Sequence, residues 1–497
     1  MGKPMADGQV FDLAVLGGGP AGVTAALRAA ELGASTILLE AERLGGVCTD
    51  DGCAPTRVLA HASRLIRDAA QFDAYGLSGG VPRLDFARLI AQTQATVYRL
   101  HEKKQLAGHL AAAGVTVAEQ AGAVRFSGPH TLVLGDGRRV SAERLVICVG
   151  GHARRLPFPG SELAITHSDV WQLRALPSRI AIVGSAATGS QLASIFAGFG
   201  SRVTLLDLAP RILPGEDMLV SAAMESAFAE RGIEILTGIR GVERLTHEAG
   251  RLQLGCQLAQ GDRALAVDAV ILAVGWVGNV ESLGLEAAGV ATNRGYVTVD
   301  DHLRTTAQHI YAAGDVTGRM MLVQSAADEA RLAAENAVRG AARRTAHRIV
   351  PHGGFTDPEY GSVGLTDTQA AEQEPIAVGT VPYADLDRAV IDRRTTGVAK
   401  LVVSRRTRQM LGAHVVGEQA VEVVQIAAAG MAAGMQVDQL AELELAYPTF
   451  TAILGLAARR VVRQLDERID AERWQTLAKP GAEWEWRDQT SPRPRDD

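Results

Sequence analysis

The chain of 497 residues has few aromatic side chains, few cysteines and no large excess of either charge. Phe, Trp and Tyr together make up 4%, whereas glycine contributes 53 residues, a balance that favours an α/β protein with many tight turns over sandwiches of aromatic-packed sheets. Four cysteines in so long a chain exclude a secreted disulfide framework. A net charge of −6 gives no electrostatic basis for binding nucleic acid.

The sequence also lacks a long uncharged apolar run and an apolar segment at its amino terminus. We therefore expect no membrane span and no signal peptide, and we predict a cytoplasmic protein. The length is sufficient for about three domains, each with its own core.

A glycine motif follows the first apolar run, Phe11–Leu16. Gly17, Gly19 and Gly22 match G-x-G-x-x-G between a predicted strand and a predicted helix, and Glu40 follows the next strand. The first glycine allows the tight turn, the second lets a pyrophosphate approach the backbone, and the third lets helix and strand pack closely. The pattern predicts a dinucleotide site in which the helix amino terminus binds phosphate and the carboxylate accepts ribose hydroxyls.

Two cysteines, Cys48 and Cys53, follow this motif at once. On an ideal helix their Cα atoms would be roughly 8–9 Å apart, which is too far for a disulfide. Gly52 lies between them, so a distorted first turn could bring the sulfur atoms together. The alternative is a pair of unrelated buried thiols.

The first pattern is repeated between residues 179 and 207. A strand leads into a turn bounded by Gly184 and Gly189, and a helix and second strand lead to Asp207. Two such units in one chain predict two bound nucleotides. Ala186 replaces the middle glycine, and its methyl group is expected to push against a pyrophosphate and weaken binding.

The acid that ends the second unit bears on the choice of nucleotide. Asp207 favours NADH, because a carboxylate accepts ribose hydroxyls and repels a 2′-phosphate. Arg202 and Arg211 are close in sequence. NADPH therefore remains possible.

These motifs together resemble the class I pyridine nucleotide–disulfide oxidoreductases, such as dihydrolipoyl dehydrogenase, glutathione reductase and mercuric reductase. The resemblance implies that the first site holds FAD, that Cys53 faces the flavin and that Cys48 exchanges with substrate. It also implies that Gly314 and Asp315 form a second FAD contact, the aspartate binding the ribityl chain. Asp315 could otherwise be an ordinary turn residue.

The same resemblance implies an α/β fold with two Rossmann-like dinucleotide-binding domains, for FAD and NAD, and a carboxyl-terminal α+β dimerisation domain. The expected limits are 1–151 and 286–351 for the FAD domain, 152–285 for the NAD(P) domain and 352–478 for the dimerisation domain. Residues 479–497 form a predicted tail. A homodimer is implied, since that last domain normally carries the acid–base group into the partner's site. Within the domains, 70–121 reads as long helices.

The chain departs from the family pattern at the proton-transferring groups. Tyr447 stands where the family has histidine, and Ala452 stands where it has glutamate. A phenol, with a reference pKa of about 10, can donate a proton but is a poor base near neutrality. Tyr447 of the partner subunit is therefore the candidate proton donor. Its Tyr-Pro-Thr segment resembles that of soluble pyridine nucleotide transhydrogenases, which lack the paired cysteines.

Three further departures surround the predicted flavin. Arg57 replaces the family's lysine, and Gln191 replaces its glutamate partner, so the cation is expected to lack that carboxylate. Ala187 replaces the aromatic gate over the nicotinamide pocket. Asp50 and Asp51 lie between the cysteines, and such carboxylates are expected to disfavour thiolate.

Our leading hypothesis is an FAD-dependent NAD(P)H oxidoreductase that reduces an unidentified, disulfide-like acceptor through Cys48 and Cys53. The first alternative is a diaphorase or transhydrogenase-like flavoenzyme that reduces a quinone, a metal ion or a nucleotide. The second is a flavoprotein redox sensor with little turnover. The sequence predicts no resident metal ion.

Overall fold

The computed structural model describes residues 9–248, 250–340, 343–346 and 349–466. The predicted tail, 479–497, and the end of the predicted dimerisation domain, 467–478, lie outside the described residues.

The first sheet has seven strands in the order β3-β2-β1-β6-β5-β4, with β19 paired to β6. These strands are β1 (Val10–Leu16), β2 (Thr36–Leu39), β3 (Thr116–Ala118), β4 (Arg125–Gly128), β5 (Thr131–Val133), β6 (Arg139–Ile147) and β19 (Ile310–Ala312). The pairs of β1 with β2 and β6, of β2 with β3, and of β6 with β19 are parallel. Helices pack on one face of this part of the sheet, and β4, β5 and residues 283–297 cover the other, so its strands are nearly continuous apolar runs.

The second sheet is entirely parallel, in the order β11-β10-β9-β15-β8. Its strands are β8 (Ile165–Thr166), β9 (Arg179–Val183), β10 (Arg202–Leu206), β11 (Glu234–Leu236) and β15 (Ala269–Leu272). An antiparallel three-stranded sheet packs beside it, formed by β12 (Gly241–Glu248), β13 (Arg251–Leu258) and β14 (Gly261–Val267). Two short ribbons pair β7 (Gly151–Ala153) with β16 (Trp276–Gly278) and β17 (Thr292–Asn293) with β18 (Tyr296–Val297).

The carboxyl-terminal sheet is antiparallel, in the order β20-β21-β24-β23-β22. Its strands are β20 (His352–Gly354), β21 (Glu359–Gly364), β22 (Ile376–Pro382), β23 (Val398–Ser404) and β24 (Met410–Gly417). Helices pack against it around a separate apolar core. Two parallel, helix-covered units followed by this α+β unit confirm the predicted fold class, while the exact domain limits stay a prediction.

The helices of the first two units are α1 (Pro20–Glu31), α2 (Val47–Asp50), α3 (Cys53–Ala69), α4 (Phe86–Lys104), α5 (Leu106–Ala112), α6 (Ala187–Gly198), α7 (Met218–Glu230) and α8 (Val323–Arg339). The others are α9 (Asp367–Ala371), α10 (Asp387–Ile391), α11 (Ala420–Ala432), α12 (Val437–Glu442) and α13 (Ala452–Leu465). No helix in the described part of the chain is both long and apolar enough to cross a bilayer.

The prediction of long helices over 70–121 is wrong in part. Residues 76–85 contain no helix, and the helical arm is broken at Gln105, whose φ of 48° is left-handed. The chain turns there, so α4 and α5 are separate helices. Helix α3, which carries Cys53, precedes this segment.

Candidate active site

One cavity of about 1690 Å³ connects the predicted sites. Small-molecule pockets usually measure roughly 300–1,000 Å³, so this cavity has room for extended ligands. It is lined by the first glycine turn, both cysteines, Gly314 and Asp315, and the beginning of α6. The structure therefore brings together most of the residues that the sequence singled out.

The first glycine turn has the tight geometry that the motif predicts. Gly17 has a φ of +98°, and a Cβ atom at Gly22 would lie only 1.7 Å from the carbonyl oxygen of Gly17. Gly19 is the N-cap of α1, and no side chain of the described residues caps that helix there. The first N–H groups of α1 are therefore available to an anion at the cavity wall.

Glu40 holds this turn in place. The backbone N–H of Gly18 donates to Glu40 Oε2 at 2.6 Å, and the N–H of Glu42 donates to Oε1 at 2.9 Å. The carboxylate also lines the cavity. It can fix the turn and still offer its remaining acceptor positions to ribose hydroxyls.

The second turn repeats this geometry in detail. Gly184 has a φ of +104°, and a Cβ atom at Gly189 would lie 1.7 Å from its carbonyl oxygen. Ala186 takes the N-cap position that Gly19 has in the first turn, with its side chain exposed. Asp207 accepts hydrogen bonds from Ser185 N at 2.6 Å and Ala209 N at 2.8 Å. Each acidic residue therefore braces its own glycine turn.

The two cysteines lie on different helices. Cys48 belongs to α2 and Cys53 begins α3, because the chain breaks at Asp51 and Gly52. A Cβ atom at Gly52 would lie 2.9 Å from Val47 O and 3.2 Å from Cys48 Cα, so only glycine fits closely there. The ideal-helix spacing therefore does not apply, and both residues are free thiols.

A hydrogen bond joins the two side chains and makes them chemically unequal. It lowers the pKa of Cys48 from 9.0 to about 7, with a further contribution from the Lys104 ammonium. The same hydrogen bond and burial raise the pKa of Cys53. Cys48 is therefore the thiolate and Cys53 the thiol that donates to it.

The expectation that the intervening carboxylates disfavour thiolate is wrong for Cys48. Asp50 is neutralised locally: Arg43 Nη2 lies 2.8 Å and His101 Nε2 lies 2.6 Å from its Oδ1. Burial, together with the neighbouring Asp50, raises the pKa of Asp51. The cation that sequence analysis missed, Lys104, acts in the opposite direction.

Asp315 lies on the cavity wall at the start of a 3₁₀ helix. The neighbouring N–H of Gly314 donates to buried Glu329 Oε2 at 2.9 Å. Burial, together with Glu329, raises the pKa of Asp315. Helix α8 begins at Val323, also on the cavity wall, so a second helix amino terminus borders this part of the cavity.

Arg57 does not face the cavity or pair with Gln191. Its Nη1 donates to Glu359 Oε1 at 2.7 Å, and its guanidinium lies 4.6 Å from the ring centre of Phe355. Gln191 lines the cavity and accepts a hydrogen bond from Phe355 N at 3.0 Å. As expected, residue 191 supplies no carboxylate to Arg57, but buried Glu359 supplies one from β21. Its catalytic role stays a prediction.

Tyr447 is 60% exposed and does not line the cavity of its own subunit. Its hydroxyl donates to Asp387 Oδ2 at 2.5 Å. Among the described residues, no three His, Cys, Asp or Glu side chains are placed to bind a metal ion.

The cavity therefore has room for an extended dinucleotide at the first turn. It also reaches the start of α6 beside the second turn, although Gly184, Gly189 and Asp207 do not line it. Each turn offers a helix amino terminus to a pyrophosphate and a carboxylate to a ribose. Gly46 lies close to Gly19 of the first turn, since a Cβ atom on Gly46 would be 2.8 Å from Gly19 Cα. The segment that carries the cysteines is therefore directly beside the predicted phosphate site.

Comparison with known proteins agrees with this geometry. The family model described as pyridine nucleotide-disulphide oxidoreductase matches residues 11–330, and the model of that family's dimerisation domain matches residues 350–458. The dihydrolipoyl dehydrogenase of Zymomonas mobilis is 32% identical over 84% of this chain and 90% of its own. The mercuric reductase of Bacillus cereus is 31% identical over 90% of this chain and 71% of its own. The solved structure of the HOCl-induced flavoprotein disulfide reductase RclA of Escherichia coli has a TM-score of 0.80 and 29% identity, covering 90% of this chain and 100% of that one.

Proposed function

Because this chain belongs to the pyridine nucleotide-disulphide oxidoreductase family, we propose that it passes electrons from NADH to a disulfide-type acceptor through Cys48 and Cys53. As an FAD-dependent member, it takes its electrons from NAD(P)H. The observation that carries the proposal is the position of Cys48 and Cys53, which flank one break between two helices and both line the cavity beside the first glycine turn.

Bound FAD supplies the two-electron relay between a nicotinamide and the cysteine pair. The residues that would hold it are the first glycine turn, Glu40 and Asp315, all on the cavity wall. Their acceptors and helix N–H groups match a pyrophosphate and hydroxyl-bearing chains.

The reduced pair can then complete thiol–disulfide exchange. The Cys48 thiolate attacks one sulfur atom of the acceptor, so that a mixed disulfide forms and the acceptor's S–S bond breaks. Cys53 next attacks Cys48 and releases the second acceptor sulfur, while the Cys53 proton passes to a departing thiolate. The acceptor gains two electrons, and a Cys48–Cys53 disulfide forms.

The surroundings of Asp207 support NADH rather than NADPH. Arg211 is turned inward, where it donates to the carbonyl oxygens of Pro214 and Glu216 at 2.8 and 2.9 Å. Arg202 begins β10, so it lies at the opposite edge of the sheet from Asp207, which follows that strand. Neither arginine is therefore positioned for a 2′-phosphate beside Asp207.

The proposed enzyme acts as a homodimer, which the match to the dimerisation domain supports. Tyr447 is proposed as the proton donor in the partner's site, since it does not line the cavity of its own subunit.

An anaerobic titration with NADH tests the function. Full bleaching of the flavin should require four electrons per subunit in the unchanged enzyme, because the cysteine pair accepts two of them, and two electrons in Cys48→Ser. Turnover of disulfide acceptors should be lost in Cys48→Ser. Retention of all acceptor turnover in that variant contradicts the proposal.

The missing histidine at 447 favours a second candidate, a diaphorase that reduces a quinone, metal ion or nucleotide without the thiols. One relative is a mercuric reductase, and RclA has also been solved as a Cu(II) complex, so metal ions are the first acceptors to test. Normal turnover of such an acceptor by the Cys48→Ser/Cys53→Ser double variant would favour this candidate.

A further inference from the structure

A buried histidine outside the predicted site residues faces the same cavity. His167 is 5% exposed and lies on the cavity wall. Neither of its ring nitrogens has a hydrogen-bond partner among the described residues. A buried polar group without a partner typically lowers the stability of the fold by about 1–3 kcal/mol. A ligand atom that hydrogen-bonds this ring would offset that loss.

The position of His167 is fixed by the chain before and after it. It follows β8 directly and begins a 3₁₀ helix, His167–Gln172. Thr166 and Asp169 form a capping box at that helix, with Thr166 N donating to Asp169 Oδ2 at 2.7 Å. The ring also packs on Trp276, with ring centres 4.6 Å apart. His167 is therefore held rigidly at the carboxyl end of its strand.

The strand order indicates which part of a nucleotide reaches this point. The sheet runs β10-β9-β15-β8, and all four strands are parallel, so their carboxyl ends form one edge. Along this edge come Asp207, the turn that begins at Gly184, Trp276 and then His167. If the adenosine ribose binds at Asp207 and the pyrophosphate at the turn, the other half of the dinucleotide lies over β15 and β8.

The local chemistry matches a nicotinamide. Burial lowers the pKa of His167, and the nearby backbone of Leu272 and the charge of Asp169 offset this only in part. The ring is therefore neutral near pH 7 and has one N–H donor and one nitrogen acceptor. A primary carboxamide offers both an acceptor and donors, so it can satisfy whichever nitrogen faces it. Ala187, on the same wall, ends in a methyl group and leaves room for the ring.

We propose that His167 hydrogen-bonds the carboxamide of the nicotinamide ring and that Trp276 holds the imidazole in place. This inference rests on the nucleotide half of the proposed function and is independent of Cys48 and Cys53. It makes His167 a binding residue for the electron donor, one that no local sequence motif marks.

The test compares two ligands on the FAD-loaded, oxidised enzyme by calorimetry. One is 1,4,5,6-tetrahydro-NAD, which carries the carboxamide but cannot donate hydride, and the other is ADP-ribose, which lacks the ring. His167→Ala should weaken binding of the first about 5-fold, the loss of one hydrogen bond, and of the second less than about 2-fold. His167→Gln, which keeps a donor and an acceptor, should restore part of the loss. His247→Ala, an exposed histidine on β12, is the matched control.

A ligand-side experiment covers the case in which the alanine variant does not fold. The unchanged enzyme should bind a tetrahydropyridine dinucleotide without the carboxamide about 5-fold more weakly than tetrahydro-NAD, and His167→Gln should narrow that ratio. The assignment of His167 is overturned, and the proposed function is not, if His167→Ala weakens binding of both ligands equally. The same holds if His167→Gln has the same affinity ratio for the two dinucleotides as the unchanged enzyme. Failure of the unchanged enzyme to bind either ligand overturns the proposed donor and this assignment with it.

Discussion

The thiolate character of Cys48 depends on the hydrogen bond from Cys53, which makes a sharp prediction possible. The pKa of Cys48 falls from 9.0 to about 7, and this hydrogen bond is the largest cause. Two pKa units correspond to about 2.7 kcal/mol. If at least half of that free energy comes from the hydrogen bond with Cys53, Cys53→Ala raises the pKa of Cys48 by about one unit or more.

The assay is alkylation of the reduced enzyme by iodoacetamide as a function of pH, with mass spectrometry identifying the modified cysteine. The unchanged enzyme should show a midpoint near pH 7, with the rate rising as pH increases and the thiolate forms. At pH 7, Cys53→Ala should react about 5-fold more slowly, because its thiolate fraction falls from one half to about one tenth. The difference should disappear at about pH 9, where both proteins are largely ionised.

Two controls separate the hydrogen bond from other effects. Cys53→Ser keeps a donor in place and should stay close to the unchanged profile. Lys104→Met should raise the midpoint by less than Cys53→Ala, since the ammonium is a smaller cause, whereas exposed Lys103→Met on the same helix should not. The reasoning is refuted if Cys53→Ala and Cys53→Ser share one midpoint near 7, or if the unchanged enzyme titrates near 9.

Three further variants test the framework around the site. Gly22→Ala should abolish FAD retention, whereas Gly189→Ala should leave FAD bound but abolish NADH binding. The reason is that each Cβ atom would lie 1.7 Å from a carbonyl oxygen of its own turn. Flavin absorbance measures FAD retention, and calorimetry measures NADH binding. Glu359→Gln should lower the free energy of unfolding by about 3 kcal/mol in urea denaturation, because two guanidinium groups lose a buried carboxylate; a change below about 0.5 kcal/mol would contradict this. Burial disfavours the charged form of His352, but the Glu216 carboxylate outweighs burial and raises the pKa of His352 above 6.5. The ion pair therefore stabilises the folded protein most below pH 6.5. This stabilisation is lost as the pH rises through the higher pKa of the folded state. Glu216→Gln should therefore cost about 1 kcal/mol near pH 6 and progressively less above pH 7, and a pH-independent difference would exclude the ion pair.

Much of the fold and of the nucleotide sites could be predicted from sequence because the motifs concerned are local. A glycine turn, its helix and the acid that follows lie within about 25 residues, and their spacing alone defines the geometry. The Cys48–Cys53 pair belongs to the same segment. These local patterns predicted Gly17, Gly19, Glu40, Cys48 and Cys53, which line the cavity, whereas Gly184, Gly189 and Asp207 of the second turn do not line it.

The partners of these residues could not be predicted, because they come from distant parts of the chain. Arg57 meets Glu359, which is 302 residues away, and no spacing rule connects the two. Lys104 reaches α2 from the end of a separate helix, where it donates to Thr49 Oγ1 at 2.7 Å. Charge near Cys48 was therefore misjudged, since the sequence displays the adjacent aspartates and hides the cations that neutralise or outweigh them.

The position of β19 in the first sheet has a consequence for how the protein is made. Strand β6 ends at residue 147, but its parallel neighbour β19 begins only at residue 310, and α8, which packs on α1, follows that. A nascent chain therefore leaves one edge of β6 unpaired at residues 145–147 throughout synthesis of the intervening NAD(P) domain. Asp315 and the amino end of α8 are also translated after that domain, so the FAD site proposed above can be completed only once the intervening domain has left the ribosome. We expect truncated chains that end before residue 310 to retain no FAD, however well their glycine turn has formed.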